Sequence, residues 1–239
     1  MTNQKLENFP NSCDECKNVG NAFFCEINKD GLKDLSTNKT FQHYKKGQVV
    51  FHEGNHPFGL FCVAKGKIKV HKLGESGKDQ IVRFAKKGDI LGYRALLGDE
   101  AYSASATTME PAVICHLRKN AFTRVLSQSN ILMLKTITHL TQDLRSSEEK
   151  VMNMAQKPVR ERIAESLIML KGSFGFIANT TTIDIKLTRK EISDIAGATT
   201  ETTIRTLSEF KKDGVIGFEG KKVSLLNVPE LLHIAKIFD

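Results

Sequence analysis

The five cysteines are unevenly placed: Cys13, Cys16 and Cys25 crowd the N-terminus, while Cys62 and Cys115 stand far from them. At Cys-x-x-Cys spacing the intervening loop lets two sulfurs converge on one ion or cluster, so Cys13, Cys16 and Cys25 are candidate ligands. The same thiols also suit a zinc site, thiol redox chemistry or no chemistry at all. Cys62 lies inside the apolar run Leu60-Phe61-Cys62-Val63 and reads more simply as a buried hydrophobe.

A second group of residues could read bases. In Leu187 to Ile216, Thr188 followed by Glu191 is a capping box, and Ile192, Ile195 and Ala196 then share one face of a short helix that Gly197 ends. Thr199 can cap a second helix in which Thr203, Leu207 and Phe210 point inward at helical spacing. Thr200, Glu201, Ile204, Arg205 and Ser208 then face outward. In a major groove Arg205 can give two parallel N–H bonds to guanine, Glu201 can accept from a cytosine amine, and Ile204 can rest on a thymine methyl. A plain helical hairpin with solvated charges is the alternative.

The elements that must position these groups follow along the chain. Residues 1–30 form a polar, cysteine-containing segment. From Phe41 to Leu117 short β-branched and aromatic runs (Val49–Phe51, Leu60–Val63, Ile68–Val70, Ile81–Phe84 and Ala112–Cys115) alternate with glycine turns, which predicts a compact antiparallel roll over 31–118. Asn120 to Met154 reads as one long helix within a segment 119–154. Its Met133, Ile137, Leu140, Leu144, Ser147, Val151 and Met154 alternate steps of four and three, expected as the seam of a coiled coil between two subunits, with packing on the chain's own core as the alternative. Met154–Pro158 interrupts the pattern as a hinge, and 155–239 holds the helix-turn-helix. Within it Ile183–Ile185 is expected as a short strand, and Val215–Phe218 with Lys222–Leu225 as a wing whose tip residues Lys221 and Lys222 can touch phosphate or, as the alternative, are solvated turn residues with no function.

Composition limits the function classes. With 40% hydrophobic and 26% charged residues and no apolar run of spanning length, the chain is expected to be cytoplasmic, with no membrane partner. Net charge is +8, yet residues 151–239 hold 13 Lys+Arg against 11 Asp+Glu, so charge alone does not carry nucleic-acid binding. No Ser-His-Asp order, phosphate-cradling glycine loop or carboxylate pair stands in a catalytic setting. The chain is therefore not expected to be an enzyme, and a regulatory subunit of one is the remote alternative.

Thr188-Arg189-Lys190-Glu191-Ile192, Gly197 and Glu201-Thr202-x-x-Arg205, together with Lys46-Gly47-Gln48-x-x-Phe51-x-Glu53-Gly54 and Gly88-Asp89-Ile90-x-Gly92, resemble the landmarks of the Crp-Fnr family of bacterial transcription regulators. The resemblance covers most of the chain from about Phe41 onward. It implies an α+β protein with a cyclic-nucleotide-binding-like β-roll (a double-stranded β-helix, or jelly roll), a long dimerisation helix and a C-terminal winged helix-turn-helix. It also implies a homodimer on a pseudo-palindromic DNA operator, with RNA polymerase as a further partner.

Nucleotide-binding relatives carry a Glu after the glycine matched by Gly92 and an Arg-Ser pair on the phosphate, whereas this chain has Tyr93-Arg94 and Tyr102-Ser103. A buried phosphate needs a cation that Tyr102 does not supply, so cyclic AMP is not expected to bind in the usual way. Arg94 is the possible substitute, and another small effector in the roll is the alternative reading. Within the family the closest resemblance is to the oxygen-responsive Fnr branch. It implies a [4Fe-4S] cluster on Cys13, Cys16, Cys25 and the distant Cys115, with a longer second gap here than that branch's pattern.

Overall fold

The computed structural model describes residues 23, 24, 27–75 and 77–237; Cys13, Cys16 and Cys25 lie outside the described residues. The chain divides into two compact units, Met1–Val70 with Ala85–Asp143, and His71–Phe84 with Leu144–Asp239.

The first unit opens with helix α1 (Lys29–Thr37), which crosses the boundary expected at residue 30. The Asn28 side chain caps it by accepting from the Gly31 amide at 2.9 Å, and Leu32 and Leu35 bury its apolar stripe. Eight strands follow along the chain, of which the end of β4 and nearly all of β5 group with the second unit: β1 (Lys39–Tyr44), β2 (Val49–Phe51), β3 (Gly59–Lys65), β4 (Ile68–Leu73), β5 (Asp79–Ala85), β6 (Ile90–Leu91), β7 (Ser105–Thr108) and β8 (Ala112–Arg118). They form two four-stranded sheets, ordered β1-β8-β3-β6 and β2-β7-β4-β5, the expected roll. Each run singled out by its β-branched and aromatic residues lies in one of these strands. The β3–β4 turn needs a glycine: Gly66 has φ +99, and a Cβ there would approach the Ala112 Cα to 2.9 Å.

Helices α2 (Tyr93–Gly98), α3 (Lys119–Gln128) and α4 (Asn130–Gln156) complete the succession. Two helices thus replace the single one expected from Asn120 to Met154. Ser129 is extended, at φ −127 and ψ 99, and its hydroxyl accepts from the Leu132 amide at 3.2 Å, so a local cap competes successfully with helix continuation. Ala121, Phe122 and Val125 bury α3 in the unit's own core, and Arg124 holds Asp34 of α1 by two bonds of 2.7 and 2.8 Å. The residues with the four-and-three spacing from Met133 onward therefore all lie on α4.

The second unit holds α5 (Val159–Phe174), α6 (Arg189–Ala196), α7 (Thr200–Lys212), the hairpin β9 (Ile216–Glu219) and β10 (Lys222–Leu225), and α8 (Val228–Ala235). Ile183–Ile185 makes no strand. Isolated bridges pair Ile183 with Phe176 and Thr182 with Ser224 instead, because backbone bonds alternate between two partners there. Segment His71–Phe84 also belongs to this unit: the Gln80 side-chain amide donates to the Ile195 carbonyl at 3.2 Å, and the Phe84 and Phe174 rings meet edge-on.

Candidate nucleic-acid interface and thiol site

Both helices of the pair begin on a side-chain cap. The Thr188 hydroxyl accepts from the Glu191 amide at 3.1 Å while the Glu191 carboxylate accepts from the Thr188 amide at 2.8 Å, which completes the capping box of α6. Gly197 closes α6 in the left-handed region at φ 60, and Thr199 caps α7 by accepting from the Thr202 amide at 3.2 Å. Thr203, Leu207 and Phe210 are buried, as their spacing requires, and Thr206 joins them.

The opposite face of α7 is open. Glu201, Arg205 and Ser208 are exposed, and Ile204 is 47% exposed between them. Thr200 departs from the expected outward set: it is half-buried, with its hydroxyl 3.3 Å from that of Ser193 in α6. The Ser208 hydroxyl donates back to the Ile204 carbonyl at 2.9 Å, leaving its lone pairs for a partner. In the wing Lys221 is exposed, while Lys222 is half-buried in β10.

Three arginines set the geometry of this face. Arg162 of α5 donates to the carbonyls of Ala196 at 3.0 Å and Gly197 at 3.2 Å, and also to Met154 and Lys157. It thereby satisfies the orphan carbonyls at the end of α6 and fixes the turn. Arg160 bonds Glu209 at 2.8 Å and lies over the Phe210 ring, pinning the outer part of α7. Arg189 stacks 3.6 Å over Phe218 of β9, and burial lowers its pKa from the ordinary value. Spacing gave no hint of these roles, because the partners that matter for the face (Ala196, Gly197, Glu209, Phe210 and Phe218) lie far off in the sequence.

On α4, Met133, Ile137, Leu144 and Val151 are all exposed, an apolar row on its outward face. Leu140 differs, being half-buried against the first unit's own core. Asp143 accepts a 2.5 Å bond from the hydroxyl of Tyr93, which is fully buried. Tyr93 thus ties the roll to α4 from the position after Gly92.

Inside the roll Tyr102 stacks on Phe51 with ring centres 4.1 Å apart, and Phe51 stacks on Phe61 at 5.5 Å. A Cβ on Gly92 would meet the Tyr102 ring at 3.2 Å. Burial pushes the Tyr102 phenol up to about 12. Aromatic rings thus occupy the region where the sequence lacks a phosphate-binding Arg, and Arg94 is exposed.

Cys115 is buried on β8, in a cluster with Phe23, Ile27, Tyr93 and Phe122, and Phe24 packs on its edge. Phe23, Phe24 and Ile27 are the described residues that flank position 25 in the sequence. Among the described residues no three His, Cys, Asp or Glu side chains gather as a metal site.

Fold and site together define a DNA-binding transcriptional regulator with a cyclic-nucleotide-binding-like roll, not an enzyme. The cyclic nucleotide-binding domain profile matches residues 41–129, and the Crp-like helix-turn-helix domain profile matches residues 161–234. The chain belongs to the Crp/Fnr family. It is 26% identical over 196 residues to the fumarate and nitrate reduction regulatory protein of Vibrio cholerae, covering 81% of this chain and 77% of that one. To the transcriptional activator protein Anr of Pseudomonas aeruginosa it is 28% identical over 195 residues, covering 80% and 78%. The solved structure of FixK2 from Bradyrhizobium japonicum superposes with a TM-score of 0.72 at 21% identity, over 82% of this chain and 96% of that one, a likeness of fold. Among the described residues no helix is long and apolar enough to cross a membrane.

Proposed function

We propose that this chain is a cytoplasmic, homodimeric, sequence-specific DNA-binding regulator whose pairing and DNA affinity respond to oxygen or redox state. The signal enters through a [4Fe-4S] cluster held by Cys13, Cys16, Cys25 and Cys115. The observation that carries this reading is the place of Cys115: buried on a rigid strand, in the same apolar cluster as the residues on either side of position 25. The donor set suits the group. Four thiolates, one of them fixed by a sheet and shielded from water, are the ligand type that iron-sulfur clusters take. When bound, such a cluster supplies the oxygen-sensitive redox chemistry. The relatives named for fumarate and nitrate reduction and for Anr support the same response.

The chain's own residues supply the coupling. Phe23 meets His139 of α4 with ring centres 5.9 Å apart, so holding residues 13–25 against β8 bears directly on the helix that carries the seam. Pairing of Met133, Ile137, Leu144 and Val151 across two subunits, with Leu140 at the edge of the seam, sets two α7 helices on successive major grooves. Glu201, Ile204 and Arg205 read base edges there, Ser208 and Thr200 border them, and Lys221 and Lys222 meet phosphate. Two half-sites held at once raise affinity far above one, so a modest shift in dimerisation becomes a large change in occupancy. RNA polymerase is the further partner that the family resemblance implies.

Iron, zinc and acid-labile sulfide analysis of protein purified without oxygen tests this reading. Brown protein with equal iron and sulfide that bleaches in air, and that is lost in Cys115→Ser, is expected. Colourless protein with zinc or no metal would replace the cluster with a zinc or thiol-redox mechanism.

A further inference from the structure

Cys62 does not lie where its apolar run suggests, deep in the core. It is half-buried on β3, and the strand register sets it directly opposite Cys115 on β8. Directly opposed residues of an antiparallel pair project from the same face. The adjacent pair, Phe61 and His116, projects from the other face, where the two rings lie 5.0 Å apart. Cys62 accordingly packs at the edge of the cluster that contains Cys115.

The backbone fixes the separation. Val63 donates to the Asp89 carbonyl and accepts from the Gly88 amide, both at 2.9 Å, so its polar groups point away from β8. Cys62, one residue earlier, therefore directs its own toward β8. Hydrogen-bonded pairs of this kind hold their Cα atoms roughly 5.5 Å apart, inside the Cα range of a disulfide, and their Cβ atoms must draw in from about 5.5 Å to about 4 Å for the bond to close. Both residues are present as thiols.

We infer that Cys62 and Cys115 form a redox-active cross-strand dithiol that closes to a disulfide in the metal-free chain. The oxidant is a low-molecular-weight disulfide, which reaches the more accessible Cys62 first. The Cys62 thiolate attacks one sulfur of the reagent, breaking its S–S bond and releasing one thiolate. The Cys115 thiolate then attacks Cys62 Sγ, forming the cross-strand bond and releasing the second thiolate. The two protein thiols lose two electrons to the reagent, and their two protons go to the two released thiolates. The consequence rests on the reading of Cys115 as a cluster ligand: once joined to Cys62 it is withdrawn from the ligand set, and cluster assembly waits for a reductant.

The test uses the full-length chain, stripped of metal by a chelator under reduction, desalted, exposed to oxidised glutathione, alkylated and mapped by mass spectrometry. The expected product is a Cys62 peptide joined to a Cys115 peptide, lighter by two hydrogen atoms and reversed by dithiothreitol. In Cys62→Ser and in Cys62→Ala, Cys115 should stay fully alkylatable by comparison with the oxidised wild type. Equal labelling of wild-type Cys115 with and without oxidant, or its joining to Cys13, Cys16 or Cys25 in place of Cys62, would overturn the inference. Iron content keeps the two readings apart. Cys62→Ser purified without oxygen should hold as much iron as wild type, and loss of that iron would make Cys62 a ligand and overturn the switch. A wild type without iron that still forms the Cys62–Cys115 bond would sink the cluster and leave the dithiol standing.

Discussion

Arg162 reaches from α5 to the carbonyl of Gly197, 3.2 Å away, and so couples the first helix of the DNA-binding unit to the turn that aims α7. Its other bonds, to the carbonyls of Ala196, Met154 and Lys157, make one guanidinium the common donor to residues 154–157 and 196–197. Arg162→Ala should destabilise this unit by about 2 kcal/mol, since charge-assisted bonds contribute about 1.5–3 kcal/mol each and the part-buried bonds to Ala196 and Lys157 are lost with the exposed ones to Met154 and Gly197. Arg162→Lys should rescue little, because a single ammonium cannot fork between carbonyls. Denaturant unfolding checks this, and full stability in the lysine variant would contradict the clamp.

The outward row on α4 leads to a second expectation. Ile137 is 53% and Leu144 is 60% exposed, so replacing either by Glu removes little from the monomer's own packing. A charge buried in a helix seam is costly, and loss of each apolar contact there costs a further ~1.5–3 kcal/mol. Sedimentation of Ile137→Glu or Leu144→Glu should show monomers with unchanged secondary structure. Dimers of undiminished affinity would remove α4 from the interface.

Tyr102 offers a titration. Its phenol is pushed up to about 12 by burial, so the folded state keeps its proton while an unfolded chain loses it near pH 10. The folded pKa is raised; the resulting stability is full below pH 10 and is lost as pH rises from about 10 toward about 12. Tyr102→Phe should remove the part of the phenolate absorbance that rises near pH 12 and reduce the alkaline fall in stability. Loss instead of a step near pH 10 would mean that Tyr102 is open to solvent.

Thr203 carries a hydroxyl that is fully buried and makes no hydrogen bond within the protein. An unsatisfied buried hydroxyl costs about 1–3 kcal/mol, so Thr203→Val, which keeps the shape, should leave stability unchanged or raise it. A melting temperature lowered by the change would point to a bonded water at this site.

Patterns of short range made most of the architecture legible. The capping box at Thr188 and Glu191, the left-handed Gly197 and the spacing of Thr203, Leu207 and Phe210 placed both DNA-binding helices, since each depends on neighbours within a turn or two. Helix α8 is legible in the same way, from the Asn227 cap and Pro229. The break at Ser129 was not legible, because apolar spacing continues across it and only a side-chain bond to Leu132 interrupts the helix. Contacts of long range were hidden for a different reason. The opposition of Cys62 and Cys115 depends on a strand register, and the Arg162 clamp on the packing of α5 against α6, which no local pattern encodes. The outward direction of Thr200 failed because its hydroxyl turns to Ser193.

The central claim is that the exposed face of α7 reads bases, and binding of the dimer to an array of randomised DNA duplexes, with and without Arg205→Ala, tests it most directly. The variant should lose about 1–3 kcal/mol at sites carrying one particular base pair and little elsewhere, while Lys221→Ala weakens all sequences alike. An equal loss for Arg205→Ala on every sequence would show that Arg205 only touches phosphate, and would contradict the account.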